Sequence, residues 1–441
     1  MQKAHHGTTE VLAKKTLRAY FEDAKTELNL SSRTEELDLQ LLEATSQGNE
    51  QKVRELIFEN ANVLATDSLG RNAGHLAIER GHWNLLKLIQ EPGYGEDARA
   101  RAKELIQSLL HEATGSGKEE VVTRLLETGA QPSALSPVDV RGTLIMRTAL
   151  HTAAEGGQEA TARKLLGGGA EVDGLSGDGQ TAMCLGIKAG HEGIVKLLLE
   201  NDADVRLRSD TLDAPFTIAV RAGNESILKL LLENGANIHT RSNNDETALS
   251  MAIWAKSDSV VKFLLQNGAL VDGETKYGGT ALQQAASMGR ESTVRLLLEG
   301  GTDVNKKSSI WGKTALHAAA GTTKNETVIT LLIQSGADVK AGNADGLTPL
   351  SYAVGTAFGH RGKVKEANVK LLLEAGATIS VDDWNRLPSD LQEQYINRKP
   401  ILLPPYQPAS ASAYSLHRGS AYGWSSGLTS YRINYSSTPI F

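Results

Sequence analysis

Four histidines invite a chemical reading first, because an imidazole can ligate a metal or move a proton near neutral pH. They are His75, His111, His151 and His317, and each falls at the same place in a repeating frame. Residues in one phase of a repeat are distributed along a stack and do not converge on one point, so the four do not compose a metal centre or a catalytic base with partners. His5-His6 has no thiol or carboxylate fixed beside it. Gly115-Ser116-Gly117-Lys118 has the ending of a phosphate loop, but Glu112 stands where the earlier glycine is required and Glu119 where Ser or Thr should follow the lysine. It reads as a turn between helices. Gly167-Gly168-Gly169 follows a helix, whereas a dinucleotide loop follows a strand and opens a helix. Cys184 has no basic neighbour to make it a thiolate and reads as a packed, inert thiol. The expectation is a chain with no catalytic, cofactor-binding or metal-binding residue, and hence not an enzyme.

The elements that position these residues follow from the repeat. The triplets Thr148-Ala149-Leu150, Thr181-Ala182-Met183, Ala214-Pro215-Phe216, Thr247-Ala248-Leu249, Thr280-Ala281-Leu282, Thr314-Ala315-Leu316 and Thr348-Pro349-Leu350 start 33 or 34 residues apart. The small residue that follows each one extends backwards through Ala113, Ala77 and Ala44, which predicts about ten units. Each unit reads as two short amphipathic helices and a turn, as in Ala281–Gly289 and Ser292–Gly301. A glycine past the second helix, at 129, 169, 235, 268, 301, 336 and 376, permits the left-handed conformation that satisfies the last carbonyls. One such helix pair buries too little apolar surface to offset its ordering entropy, so neighbours must stack.

Gly312-Lys313-Thr314-Ala315-Leu316-His317-Ala318-Ala319, with Leu331-Leu332 and Ser335-Gly336-Ala337-Asp338-Val339, resembles an ankyrin repeat, and so do the units around it, over about residues 35 to 398. The resemblance implies a mainly α fold: a right-handed solenoid of helix-turn-helix units with β-hairpin fingers, whose concave face is formed by fingers and first helices. It also implies that histidines in this slot are structural hydrogen-bonders between neighbouring units. A solenoid of this kind offers no closed pocket that excludes water, a physical reason to doubt catalysis.

Departures from the period locate insertions. Extra residues around Glu91–Gly95 and Ser133–Val138 predict longer fingers or loops, and roughly seven more lie within Gly355–Lys365. Residues 1–34 form an N-terminal cap in this reading, with an amphipathic helix carrying Leu17, Tyr20, Phe21, Ala24 and Leu28, followed by a capping box at Ser32-Arg33-Thr34-Glu35. The solenoid occupies 35–398 and ends in a partial capping unit whose helix is expected at Ser389–Tyr395. Residues 399–441, acid-free after Pro400 and rich in Ser and Tyr, read as a disordered tail.

The 441 residues are 40% hydrophobic and 22% charged, enough for a large core. A single cysteine and the absence of a signal-like apolar start favour the cytoplasm or nucleus. A net charge of −6 gives no general affinity for nucleic acid, and no apolar run is long enough for membrane insertion.

Variable positions of the implied concave face are chemically uneven. Fingers contribute Arg208, Arg241, Lys276, Tyr277, Lys307 and Trp311; first helices contribute Lys188, Arg221, Trp254 and Met288. Aromatic and Arg anchors dominate protein interfaces. The expected function is a protein-protein interaction scaffold that binds a partner with an acidic surface through these ten residues. Alternatives are a regulatory adaptor, such as a transcription co-regulator or ubiquitin-ligase adaptor, or a subunit of an enzyme or channel whose working module is on another chain. The sequence leaves the oligomeric state open.

Overall fold

The computed structural model describes residues 33–91, 93–140, 142–207, 213–355, 357, 363–396 and 402–403. The helix expected within residues 1–32, Ser32 of the capping box, most of the Gly355–Lys365 insert, and the tail from Pro404 onward therefore lie outside the described residues. The chain divides into two compact units, with the boundary near Ala236–Asn237.

In the first unit the helices come in pairs: α1 (33–46) and α2 (Glu50–Phe58), α3 (Ala73–Arg80) and α4 (Trp83–Leu88), α5 (Glu96–Gly115) and α6 (Glu119–Glu127), then strands β1 (Ser136–Val140) and β2 (Thr143–Arg147). There follow α7 (Ala149–Glu155) and α8 (Glu159–Gly167), α9 (Ala182–Ala189) and α10 (Glu192–Glu200), and α11 (Pro215–Ala222) and α12 (Glu225–Glu233). First helices pack on first helices from α3 through α5, α7 and α9 to α11, and second helices on second, from α6 through α8 to α10. This is the packing that an amphipathic pair must find when neither helix can cover itself.

The second unit repeats the scheme with α13 (Ala248–Trp254) and α14 (Asp258–Gln266), α15 (Ala281–Ser287) and α16 (Glu291–Glu299), α17 (Ala315–Ala320) and α18 (Glu326–Gln334), and α19 (Pro349–Val354) and α20 (Glu366–Glu374). It closes with β3 (Ile379–Ser380), α21 (Val381–Asn385), α22 (Ser389–Ile396) and β4 (Leu402–Leu403). β3 and β4 pair in parallel, so a short strand stands at the start of the stretch read as disordered. The residues Ile401-Leu402-Leu403 are apolar, unlike the Ser/Tyr-rich sequence beyond them.

Local chemistry explains the helix limits. The side chains of Thr181, Thr247, Thr280 and Thr348 each accept from the backbone amide three residues on, capping the first helix of their unit. At the other end of the second helix the chain turns through a left-handed residue, for instance Gly268 at φ +83°, and the amide of Ala269 then reaches back to Leu264 O at 3.0 Å. Between helix pairs the chain makes a finger with a backbone bond across its base: Ser176 N to Gln180 O, Ser242 N to Glu246 O, Thr275 N to Gly279 O, Ser308 N to Lys313 O and Asn343 N to Leu347 O.

The two early insertions take different forms. Around Ser133–Val138 the extra residues build the antiparallel hairpin β1–β2, a lengthened finger as expected. Around Glu91–Gly95 the expectation of a longer finger or loop is corrected: the extra length becomes helix, and α5 runs for 20 residues. Glu96 and Asp97 favour a helix start, Ala98, Ala102, Leu105, Ile106 and Leu109 recur at helical spacing, and all five are buried.

Candidate protein-binding surface

In the second unit successive fingers touch. Arg241 Nη2 donates to Glu274 O at 2.8 Å, joining the first finger to the second. Gly278, at φ +72°, lies so close to the third finger that a Cβ there would stand 2.8 Å from Ser309 Oγ and 3.0 Å from Ile310 N. Ala344 N donates to Trp311 O at 3.0 Å, joining the third finger to the fourth. The unit thus presents a continuous row of finger tips, on which Tyr277 is 59% and Trp311 46% exposed, with Ile310 exposed beside them. Each ring carries an ammonium group: Lys276 Nζ is 5.1 Å from the Tyr277 centroid and Lys313 Nζ 5.8 Å from that of Trp311.

Lys313 also stands 5.0 Å from the centre of the Tyr352 ring. Burial lowers its pKa, opposed by the charge of Asp345. Tyr352 is itself pushed up to about 12 by burial, although its hydroxyl accepts from Asn343 Nδ2 at 3.1 Å. This aromatic-ammonium cluster was missed by the sequence reading. Its one signal is that Lys313 occupies the variable position before the Thr-Ala-Leu triplet, where other units carry Arg147, Gln180, Asp213, Glu246, Gly279 or Leu347.

The ten sequence-derived candidates are divided between the two units. Arg208 lies outside the described residues, and Lys188 and Arg221 belong to the first unit. Of the rest, the finger row gathers Arg241, Lys276, Tyr277, Lys307 and Trp311. Trp254, 52% exposed, ends α13, while the finger precedes that helix, so the two are separated by the helix length, about 10 Å. Met288 is the C-cap of α15 and half-buried.

Several of the cations are already engaged. Arg221 pairs with Asp213 at 2.7 Å, Arg241 with Asp245 at 3.1 Å, Lys188 Nζ donates to Gln180 Oε1 at 2.5 Å, and Lys307 Nζ to Gly342 O at 2.8 Å.

The histidines serve the stack. His151 Nε2 meets Gln180 O at 2.9 Å and His317 Nε2 meets Leu347 O at 3.0 Å, so each imidazole reaches the finger of the following unit. His111 Nε2 meets Arg147 O in the same way, at 2.8 Å, whereas His75 Nε2 meets the Glu112 carboxylate at 2.6 Å. Gln283 fills the slot by donating to both Lys306 O and Lys313 O. Cys184 also occupies it and is buried, which raises the thiol pKa. Gly115 ends α5 and Lys118 is the N-cap of α6, so the phosphate-loop lookalike is a turn between helices. Among the described residues no group of three or more His, Cys, Asp or Glu could hold a metal ion, and no helix is long and apolar enough to cross a membrane.

Stacked helix pairs with projecting fingers define a repeat solenoid. Residues 41–136, 134–209, 216–308 and 302–383 match the family profile described as ankyrin repeats in three copies. These matches span most of the sequence, and the chain belongs to the ankyrin-repeat family. Among solved structures it is similar to the ankyrin repeat domain of human ASB11, at 28% sequence identity and a TM-score of 0.45, over 52% of this chain and 98% of that one. No curated protein matches. Ankyrin repeats are generally protein-protein interaction modules.

Proposed function

We propose that this chain is a non-catalytic scaffold that binds a partner protein across the fingers of its second unit. The observation that carries the reading is the adjacency of Tyr277, Ile310 and Trp311 on touching fingers, all exposed. Large apolar side chains clustered on a monomer surface are costly to leave in water and mark docking sites. Each desolvated ring at an interface centre is worth on the order of 2 kcal/mol or more. Lys276, Lys307 and Lys313 would favour carboxylates at the edge of the partner's footprint. With Arg221 and Arg241 paired to acidic residues of this chain, the acidic-partner reading rests on Lys276 and Lys307 of the expected cations, joined by Lys313. Trp254, at the far end of α13, extends the footprint for a partner that also covers the first helices.

The test is quantitative affinity capture with the full chain and a Tyr277→Ala, Trp311→Ala double variant. A partner recovered by the parent and lost by the variant supports the reading. Equal recovery of every captured protein would show that the finger row is ordinary surface.

A further inference from the structure

The first unit carries a different surface, and its reading does not depend on the function proposed above. The hairpin β1–β2 pairs Ser136 with Arg147, Pro137 with Met146, Val138 with Ile145, Asp139 with Leu144 and Val140 with Thr143. Side chains alternate across a strand pair, so Pro137, Met146, Asp139 and Leu144 share one face. Leu144 is 73% and Met146 42% exposed. The next finger lies alongside: Gly177 N donates to Met146 O at 2.7 Å, and that finger adds the exposed Leu175.

The charge around this apolar face is one-sided. The hairpin and the two fingers that follow it contribute Asp139, Glu171, Asp173, Asp178 and Asp204 among their described residues. The opposing Arg147 is almost fully buried and paired with Glu155, so it presents no cation to solvent. Asp178 stays ionised: burial would raise its pKa, but hydrogen bonds from Ser176 and Gln180 hold it below the usual value. Arg206 is exposed, and Arg141 lies outside the described residues.

The strand edge adds a geometric preference. Met146 O is spent on Gly177, away from β1, so Met146 belongs to a pair that makes no hydrogen bonds across the hairpin. Pro137 opposite has no amide to donate, in agreement. Leu144, two residues before Met146, therefore also turns its amide and carbonyl away from β1. An extended chain running past Leu144 would find main-chain partners there as well as the apolar side chains.

We propose that this finger face of the first unit docks an extended polypeptide segment in which apolar residues alternate with Lys or Arg. The apolar side chains would cover Leu144, Met146 and Leu175, and the cations would meet Glu171 and Asp178. This is the opposite polarity to the lysines on the second unit's fingers.

The experiment uses the full chain and three labelled synthetic peptides of equal length: alternating Lys-Leu, alternating Glu-Leu and oligolysine. Fluorescence anisotropy reports binding to the parent, to Leu144→Ser, Met146→Ser, and to Glu171→Gln. These side chains are exposed, and circular dichroism checks that the fold is kept. The expected result is saturable binding of the Lys-Leu peptide alone, weakened about tenfold or more by the Leu144/Met146 change and a few-fold by Glu171→Gln. Three results would each overturn the proposal: oligolysine binding as tightly, which means charge alone; Glu-Leu binding as tightly, which means unspecific stickiness; or Lys-Leu binding indifferent to Leu144 and Met146. Sedimentation of the parent and the Leu144/Met146 variant settles the other occupant. A parent dimer that the variant abolishes would assign the face to a second copy of this chain instead.

Discussion

The imidazole of His317 donates from Nε2 to the carbonyl of Leu347, 3.0 Å away and in the following unit, while its Nδ1 accepts from the Thr314 amide. A carbonyl can only accept, so the proton must sit on Nε2 and the ring must be neutral for both bonds to persist. One side chain therefore caps its own helix and ties it to the next finger.

A pH dependence follows. Burial lowers the His317 pKa from 6.5 to about 4, and burial lowers that of His151 as well. The unfolded chain then binds protons that the folded chain refuses, so stability is complete above about pH 6.5 and falls as pH drops towards 4, by roughly 3 kcal/mol for His317. Urea midpoints measured at about pH 7 and about pH 5 should show the loss. His317→Gln should flatten that slope and stay within about 1 kcal/mol of the parent at neutral pH, because Gln283 already fills the slot with the same donor and acceptor pattern. His317→Ala removes one of the two donors to the Leu347 carbonyl, takes the acceptor from the buried Thr314 amide and opens a cavity, and should cost about 2–4 kcal/mol. A slope in the glutamine variant as steep as the parent's would place the titration elsewhere.

The capping threonines, the left-handed glycines and the small residues of the first helices are local requirements of a short helix pair, and for that reason they are legible in the sequence. The same holds for the slot histidines, whose recurrence in one phase implies stacking. The length of α5 was not legible from the repeat period, because an insertion count says how many residues are extra and not whether they coil; the run from Ala98 to Leu109 held the answer. The finger cluster was only half legible. Tyr277 and Trp311 stand out by type, but the ring contacts of Lys313 depend on how touching fingers orient, and the ion pairs of Arg221 and Arg241 are made with residues that a period alone does not place.

Gly278 and Gly312 set the spacing of that row. Gly312, at φ +61°, would place a Cβ 2.8 Å from Ala344 N, and Gly278 meets Ser309 and Ile310 equally closely. Alanine at either position adds left-handed strain, about 1 kcal/mol, to a backbone collision. Gly312→Ala should therefore lower stability by more than about 1 kcal/mol and weaken any partner captured by the finger row, while Gly301→Ala, with open space around the Cβ, should show the strain alone. Equal losses in both variants would mean that the finger contact is soft.

Asp258 links α14 to α16. Its carboxylate accepts from Thr293 Oγ1 and Ser292 Oγ, each at 2.5 Å, and from Arg290 Nη2 at 3.1 Å. Burial would raise its pKa, but those hydrogen bonds and the Arg290 charge hold it below the usual carboxylate value. Asp258→Ala should cost about 1–3 kcal/mol, since buried Thr293 then keeps a hydroxyl without its acceptor. Asp258→Asn should recover part of the loss. Thermal midpoints of the two variants decide the matter, and an alanine variant as stable as the parent would show that the bonds only replace hydration.

Leu264 offers a test of how far the two compact units fold on their own terms. It is fully buried in α14, which packs on α13 and α16 inside the second unit. Aspartate at that position forces an unpaired charge or a protonated carboxyl into an apolar seam, at a cost of several kcal/mol. In a repeat array stability is the sum of local terms and nearest-neighbour terms, so the damage should fall first on the helices around α14. The expected outcome for Leu264→Asp is a denaturation curve with two transitions by circular dichroism. Hydrogen exchange should show amides of α13 to α16 losing protection in the earlier transition, while those of α7 to α10 keep theirs until the later one. A single transition shifted as a whole, with protection lost together in both sets of helices, would mean that the chain unfolds as one cooperative body despite its division into two units.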